Sequence, residues 1–346
     1  MTATDLQLPP LHKSIVEEQG TITFIGTATV LVRYGTLTFL TDPNFLHAGD
    51  HAHLGYGMRS KRLTDPALEL SDLPPIDFVL LSHHHGDHFD HLVERQLDRA
   101  LPIITEPGSA KRLRKLGFRS TYPLQTWESM TVRRGLQWLT ITAMPARHAR
   151  GPIAHLLPSV MGSMLRFGHG DGEPAFHMYI TGDTLLIDEL AEIGRRHPDI
   201  DVCMLHLGGT RIGGILLTMD GEQGVQLLEL LGPKTAIPVH YDDYTVFKSP
   251  LSEFLDRARR LPNSTRIVTL ERGDTYRFDV PGVPTPDAAF PKVFNTFVER
   301  DGNEWAVCGH IDGQRKVISR HATAELAARA EQQLNESAQR SVDDSI

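Results

Sequence analysis

The run Leu80-Leu81-Ser82-His83-His84-His85-Gly86-Asp87-His88-Phe89-Asp90 constrains this chain more than any other segment, because an apolar strand passes directly into a His-x-His-x-Asp-His cluster. Phe78 to Leu81 is a short continuous apolar run that fits a strand buried on both faces, and the polar residues begin where that strand must end. Open α/β sheets carry their chemistry at such carboxyl ends. His83 and His85, two apart, can reach one metal ion, while Asp87 and His88, one turn further on, can reach a second beside it. In a chain with 18 histidines, a solvated His-rich loop is the simpler explanation. The recurrence of single ligand-type residues at other strand ends argues against it. Leu139 to Met144 leads into His148, Met178 to Thr181 into Asp183, and Thr235 to Val239 into His240, so each adds one candidate ligand.

The rest of the pattern predicts an α/β sandwich. Thr21 to Ile25, Val30 to Tyr34 and Leu37 to Leu40 read as strands, the last two joined as a hairpin near Gly35. Leu185 to His197 and Asp220 to Leu231 have apolar spacings of three and four and read as helices, the second ended by Gly232-Pro233. With Val202 to Leu205 and Thr235 to Val239 as strands, the second half repeats strand and helix. Two mixed sheets with helices on their outer faces are expected, with the site along one edge.

In their order and spacing these motifs resemble those of the metallo-β-lactamase superfamily, over roughly residues 20 to 278. The resemblance implies a four-layer αββα fold and two metal ions, the first held by His83, His85 and His148, the second by Asp87, His88 and His240, with Asp183 bridging them. It also implies that Asp42, in Phe39-Leu40-Thr41-Asp42-Pro43, supports the ligands from behind. The phrases IGTATVLV, FLTDPNF, LPPIDFVLLSHHHGDHFD and TGDT are most similar to the branch that contains N-acylphosphatidylethanolamine phospholipase D and ascorbate-6-phosphate lactonase. Ala149-Arg150-Gly151-Pro152 after His148 and Tyr241-Asp242-Asp243-Tyr244 after His240 depart from the phospholipase pattern, so the substrate does not carry over.

Composition fits a globular enzyme: 346 residues, 40% hydrophobic, suffice for one large core and a small appendage. A net charge of −8 argues against a protein that coats nucleic acid. Two cysteines, Cys203 and Cys308, imply no disulfide framework and fit a reducing compartment. Neither a signal peptide nor a membrane-spanning run is evident, so the cytoplasm is the expected location, without integral membrane association. Residues 1–279 are read as the hydrolase domain and 280–291, with four prolines, as a linker. Residues 292–346 are read as a small β-β-β-α domain with a polar tail. Its strands are Val293 to Glu299, Glu304 to His310 and Lys316 to Ser319, and its helix follows Thr323. So small a unit is expected to pack on the main domain or on another subunit, as in a homo-oligomer.

The ligand set predicts a dinuclear hydrolase in which a metal-bridging hydroxide attacks a phosphodiester or other ester-like bond, with no side-chain nucleophile. Zinc is the first expectation, and manganese and iron accept the same ligands. Asp87 is expected to orient the hydroxide, and His206, at the end of Val202 to Leu205, to donate a proton to the leaving group unless it is a packing residue. The loops Asn44 to Pro66 and Arg147 to Gly170 are expected to wall the pocket, with cations such as Arg59, Lys61, Arg62 and Arg150 either clamping a phosphate or lying solvated. A lactonase is the rival enzyme. A non-catalytic metal-binding scaffold is the alternative of another class, and iron redox chemistry ranks last because no flavin domain is present.

Overall fold

A computed structural model describes residues 4–9, 19–55, 57–149, 151, 157–262, 264–279, 294–302, 304–311, 314–321, 323–324 and 327–328. The chain divides into two compact units, Met1–Val283 and Pro284–Ile346. The expected linker, 280–291, lies outside the described residues, as does most of the expected C-terminal helix.

Two mixed sheets carry the first unit. One has seven strands in the order Thr275–Asp279, Gln19–Gly26, Thr29–Tyr34, Leu37–Thr41, Phe78–Leu81, Ile103–Thr105 and Thr121–Pro123. The other has eight: Thr4–Gln7, Ser129–Arg134, Gln137–Met144, Gly162–His169, Phe176–Ile180, Val202–His206, Thr235–Val239 and Arg266–Ile267. Side-chain alternation along the strands generates the layers. Phe78 and Leu80 enter the cluster between the sheets, where Phe39 meets Leu165, Met178 and Met204. Val79 and Leu81 point the other way, onto Val93 and Leu113 of the helices His91–Gln96 and Pro107–Lys115. In the second sheet Val202 and Met204 face inward, while Cys203 and Leu205 meet Leu227 and Phe254 of the helices Gly221–Leu231 and Leu251–Ala258. The result is the expected αββα sandwich, in which each fully buried Leu or Phe contributes about 1.5–3 kcal/mol. Truncating Leu80 to Ala would open a cavity in the central layer, at a cost of roughly 2–5 kcal/mol.

Strand direction gathers the site on one edge. Leu37–Thr41, Phe78–Leu81 and Ile103–Thr105 are mutually parallel, so Asp42 and the histidine run leave the sheet on the same side. Phe176–Ile180, Val202–His206 and Thr235–Val239 are parallel in the other sheet and deliver Asp183, His206 and His240 together. Gln137–Met144 is two antiparallel steps from Phe176–Ile180 and therefore points the same way, toward His148.

Local chemistry sets the helix ends. The Asp220 side chain accepts from the backbone N–H of Gln223 at the start of Gly221–Leu231, and Gly232 ends that helix at φ 57°, in the left-handed region that glycine enters freely. Two sequence expectations differ from the structure. Gly162–His169, read as part of a loop, is a strand paired on both sides. The helix expected from Leu185 starts later, with a 3₁₀ turn at Asp188–Leu190 and an α-helix at Ala191–Arg196. Leu185 N–H donates to Arg147 O at 3.0 Å and Leu186 N–H to Gln223 Oε1 at 2.9 Å, so these groups are committed to tertiary partners. Among the described residues no helix is long and apolar enough to cross a membrane. In the second unit Phe294–Asp301, Glu304–Ile311 and Gln314–His321 form one antiparallel sheet.

Candidate metal centre

Three imidazoles converge first. One ring nitrogen from each of His83, His85 and His148 lies within 4.8 Å of the others. His83 Nε2 is 2.9 Å from His85 Nδ1 and 3.2 Å from His148 Nε2. Nitrogens bound tetrahedrally to one ion at ~2.0–2.1 Å stand roughly 3.3 Å apart, so the spacing suits a shared ion. The outer nitrogens select the tautomers. His148 Nδ1 faces Leu217 O at 3.2 Å, which makes it the N–H donor and leaves the Nε2 lone pair inward. Ser82 Oγ, 3.0 Å from His83 Nδ1, serves the outer nitrogen of that ring.

The second cluster mixes carboxylates with imidazoles: Asp87, His88, Asp183 and His240 each offer an atom within 4.8 Å of the others, all buried. Asp183 stands between two rings, Oδ2 being 3.3 Å from His88 Nε2 and Oδ1 3.5 Å from His240 Nδ1. Asp87 Oδ2 is 3.6 Å from His240 Nε2. The rings of His83 and His88 are 4.2 Å apart at their centroids, so the two clusters adjoin.

Ionisation suits ligation. Burial, reinforced by His88 and its neighbours, holds His83 well below the ordinary imidazole range. Burial likewise lowers His85 to about 3 and depresses His148 against the pull of Asp183. Burial would raise both carboxyls, but His88 and His240 outweigh it at Asp87 and hold Asp183 well below the carboxylate range. Neutral rings and ionised carboxylates are the forms that bind metal; His88 and His240, which against the effect of burial Asp183 and Asp87 hold above the ordinary imidazole range, would give up a proton to an incoming ion. Several of these buried atoms, His85 Nε2, Asp87 Oδ1, His88 Nε2, Asp183 Oδ1 and His240 Nε2, have no hydrogen-bond partner among the described residues. Such groups cost about 1–3 kcal/mol each unless something satisfies them, and a cation held between them would do so.

Backbone conformation aims the ligands. His240 has φ 62° and Asp42 φ 34°, left-handed geometry that costs roughly 1–2 kcal/mol per non-glycine residue and recurs at functional sites. Gly182, at φ 60°, admits no side chain, because a Cβ would stand 2.8 Å from Met161 O. Asp42 lies behind the ligands: Oδ1 accepts from Ser82 N–H at 2.7 Å, and Oδ2 is 3.4 Å from His88 Nδ1.

The expected residues His83, His85, Asp87, His88, His148, Asp183 and His240 are thus brought together. Of the two sequence readings of His206, the structure fits the packing one and not the proton donor at the rim: it is fully buried, with Nε2 3.5 Å from Asp42 Oδ2, behind the ligands. Arg62, read as a cation of the pocket wall, is also fully buried, bonded to Asn44 Oδ1 and 3.5 Å from Asp243 Oδ1. Sequence reasoning missed this cluster, which joins Arg62, Thr64, Asp243 and Arg272 behind His240. The one local hint was a carboxylate three residues after a ligand.

A family model described as the beta-lactamase superfamily domain matches residues 38–241. The chain belongs to the metallo-β-lactamase superfamily. A metal-dependent hydrolase of Carboxydothermus hydrogenoformans is 28% identical over 251 residues, 71% of this chain and 96% of that protein. An N-acyl-phosphatidylethanolamine-hydrolyzing phospholipase D of Caenorhabditis elegans is 26% identical over 280 residues, 73% of this chain and 74% of the relative. This member of the superfamily therefore sits in the branch that the sequence motifs indicate. Among solved structures, an isothiocyanate hydrolase from Delia radicum gut bacteria superposes with a TM-score of 0.62 at 22% identity, over 75% of this chain and 99% of that one. CmlA, a diiron β-hydroxylase from Streptomyces venezuelae, superposes at 0.53 with 16% identity, over 76% and 54% of the two chains. Both likenesses establish the fold.

Proposed function

We propose that this protein, a metal-dependent hydrolase of the metallo-β-lactamase fold, holds two divalent ions and cleaves a phosphodiester or other ester-like bond by attack of water. The observation that carries this reading is the adjacency of a three-imidazole cluster to a carboxylate–imidazole cluster, both buried and both with ligand atoms that lack protein partners. His83, His85 and His148 would hold one ion, Asp87, His88 and His240 the other, and Asp183 both. The ions would supply Lewis acidity, making hydroxide available near neutral pH and neutralising charge that develops on the substrate. Asp87, whose Oδ1 has no partner, is placed to orient the attacking water. Imidazole and carboxylate suit zinc first, with manganese and iron as alternatives.

A lactone or other uncharged ester is favoured by two observations. Arg62 is fully buried against Asp243 and cannot clamp a phosphate, and the exposed Arg147 is turned toward Glu189. A cavity of about 360 Å³ is lined by Leu124, Met144, Val160, Met161, Gln125, Ser159 and Glu106 among others, and none of its lining among the described residues is basic. It lies beside the metal loop, since Met161 N–H donates to Ser82 O at 3.0 Å. Protein reconstituted with zinc, manganese or iron(II) should be assayed in parallel on bis(p-nitrophenyl) phosphate and on a simple lactone. Lactone turnover without phosphodiester cleavage would eliminate the phosphodiester assignment, and full metal loading with no turnover of any ester would favour a non-catalytic scaffold.

A further inference from the structure

His206 ends a fully buried strand, and nothing in the hydrolytic reading uses it. Its Nδ1 is 3.3 Å from Thr181 Oγ1, which accepts from the His206 backbone N–H at 2.9 Å and shares its own proton with Gly182 O. Its Nε2 has no hydrogen-bond partner among the described residues, and the polar atom it faces is Asp42 Oδ2 at 3.5 Å. A neutral imidazole has one N–H and one lone pair. A lone pair aimed at a carboxylate repels it, so the proton belongs on Nε2, which leaves Nδ1 and Gly182 O to compete for the one Thr181 hydroxyl proton.

Asp42 is therefore approached from three sides. Ser82 N–H serves Oδ1, while His88 Nδ1 and His206 Nε2 flank Oδ2 at 3.4 and 3.5 Å. The two rings lie 12° from parallel with centroids 6.1 Å apart, so one carboxylate oxygen sits between two nearly coplanar-facing imidazoles. With Nδ1–H directed at Asp42, His88 turns its Nε2 toward the second cluster, 3.3 Å from Asp183 Oδ2, where that nitrogen's lone pair would serve an ion in place of a proton.

We propose that His206 is a positioning residue of the second half-site: it fixes the Asp42 carboxylate, which in turn fixes the tautomer and orientation of His88. The inference rests on the reading of His88 as a metal ligand. Removing His206 takes away one of the two ring nitrogens that face Oδ2, and outer supports of this kind typically contribute about 10- to 100-fold in metal affinity.

The test uses the full chain as wild type, His206→Gln and His206→Asn, each titrated with Zn²⁺ against a chromophoric chelator and unfolded thermally in EDTA. Glutamine carries an amide N–H to the place of Nε2, whereas asparagine reproduces only the Nδ1 end beside Thr181. Wild type should bind two equivalents. His206→Asn should weaken one of the two by about 10- to 100-fold and leave the other. His206→Gln should stay near wild type, and the metal-free proteins should melt together. Unchanged affinities in His206→Asn would make His206 a packing residue and overturn the proposal, as would equal losses in both variants. A third equivalent in wild type, lost in His206→Asn, would make His206 a ligand and overturn it as well. A wild type that binds no zinc would bring down the two-ion reading itself, an outcome distinct from all of these.

Discussion

Only two residues separate His240 from Asp243, yet the two belong to opposite kinds of buried polar cluster. Around Asp243 the chain supplies every partner: Thr27 N–H at 2.8 Å, the Thr64 hydroxyl, Arg62, and Arg272 through Nε at 3.1 Å and a second nitrogen at 3.0 Å. Around His240 and Asp183 it supplies imidazoles and carboxylates that face one another, several of whose atoms have no hydrogen-bond partner among the described residues. The two regions are similarly buried, so burial alone does not distinguish support from function. Satisfaction does: a saturated ion pair ties loops to strands, while a converging unsaturated set is complete only with a cation.

The comparison breaks most clearly on the unsaturated side. Asp183→Ala and His85→Ala should reduce turnover to background and lower bound metal, measured by elemental mass spectrometry, while the metal-free protein keeps its far-UV circular dichroism. Full activity in either variant would refute the ligand assignment. The complementary change is Arg62→Met. It leaves the buried Asp243 carboxylate facing fewer donors, and breaking a buried pair from one side costs about 3–5 kcal/mol. In a domain of this size that corresponds to a fall of roughly 10 °C in Tm. A variant that melts with wild type in EDTA would show that the cluster does not support the fold.

The difference between these clusters also marks what was legible in the sequence. His83, His85, Asp87 and His88 are neighbours in the chain, and Asp183 and His240 each follow an apolar strand, so local pattern was enough to find them. Nothing local identifies Arg62 as buried, because its partner Asp243 is 181 residues away and both sit in polar loops. Gly162–His169 escaped for a related reason. Glycines stand at or near both ends, Arg166 and His169 interrupt its apolar character, and its strand identity comes from the neighbours that pair with it on either side. The Leu185 helix was placed too early because the chain is still extended at Ile187, at φ −119° and ψ 154°, and turns only at Asp188. Periodicity reports burial patterns; it does not report where the backbone begins to turn.

The saturated cluster makes a pH prediction as well. Burial would raise Asp243, but Arg62 and Arg272 outweigh it and hold the carboxyl below its ordinary range. A folded-state pKa below the unfolded value means that the group binds its proton less readily when folded. Its contribution is therefore complete above the unfolded carboxylate pKa of about 3.9 and disappears as pH falls through the lower, folded value. In urea unfolding with EDTA, the stability gap between wild type and Asp243→Asn should be constant from pH 5 to 7 and narrow below about pH 4. A gap that widens on acidification would reverse the sign and contradict the pairing.

The smallest effect is expected at Arg147, and it sharpens the comparison by adding an exposed pair to the two buried clusters. Its guanidinium is bonded to Glu189, with the two side chains 47% and 48% exposed, so water and salt screen the interaction. Arg147→Ala should change stability by less than about 1 kcal/mol. The backbone N–H of Arg147 donates to Thr184 Oγ1 at 2.9 Å, a contact the substitution keeps, so His148 should stay in place and metal content should match wild type. Kinetics give this variant its value. If the substrate is an uncharged ester or lactone, kcat and KM should both stay near wild type, because the arginine is turned toward Glu189. A large rise in KM confined to the phosphodiester probe would mean that Arg147 leaves Glu189 to meet an anionic substrate, and would return the phosphodiester to first place.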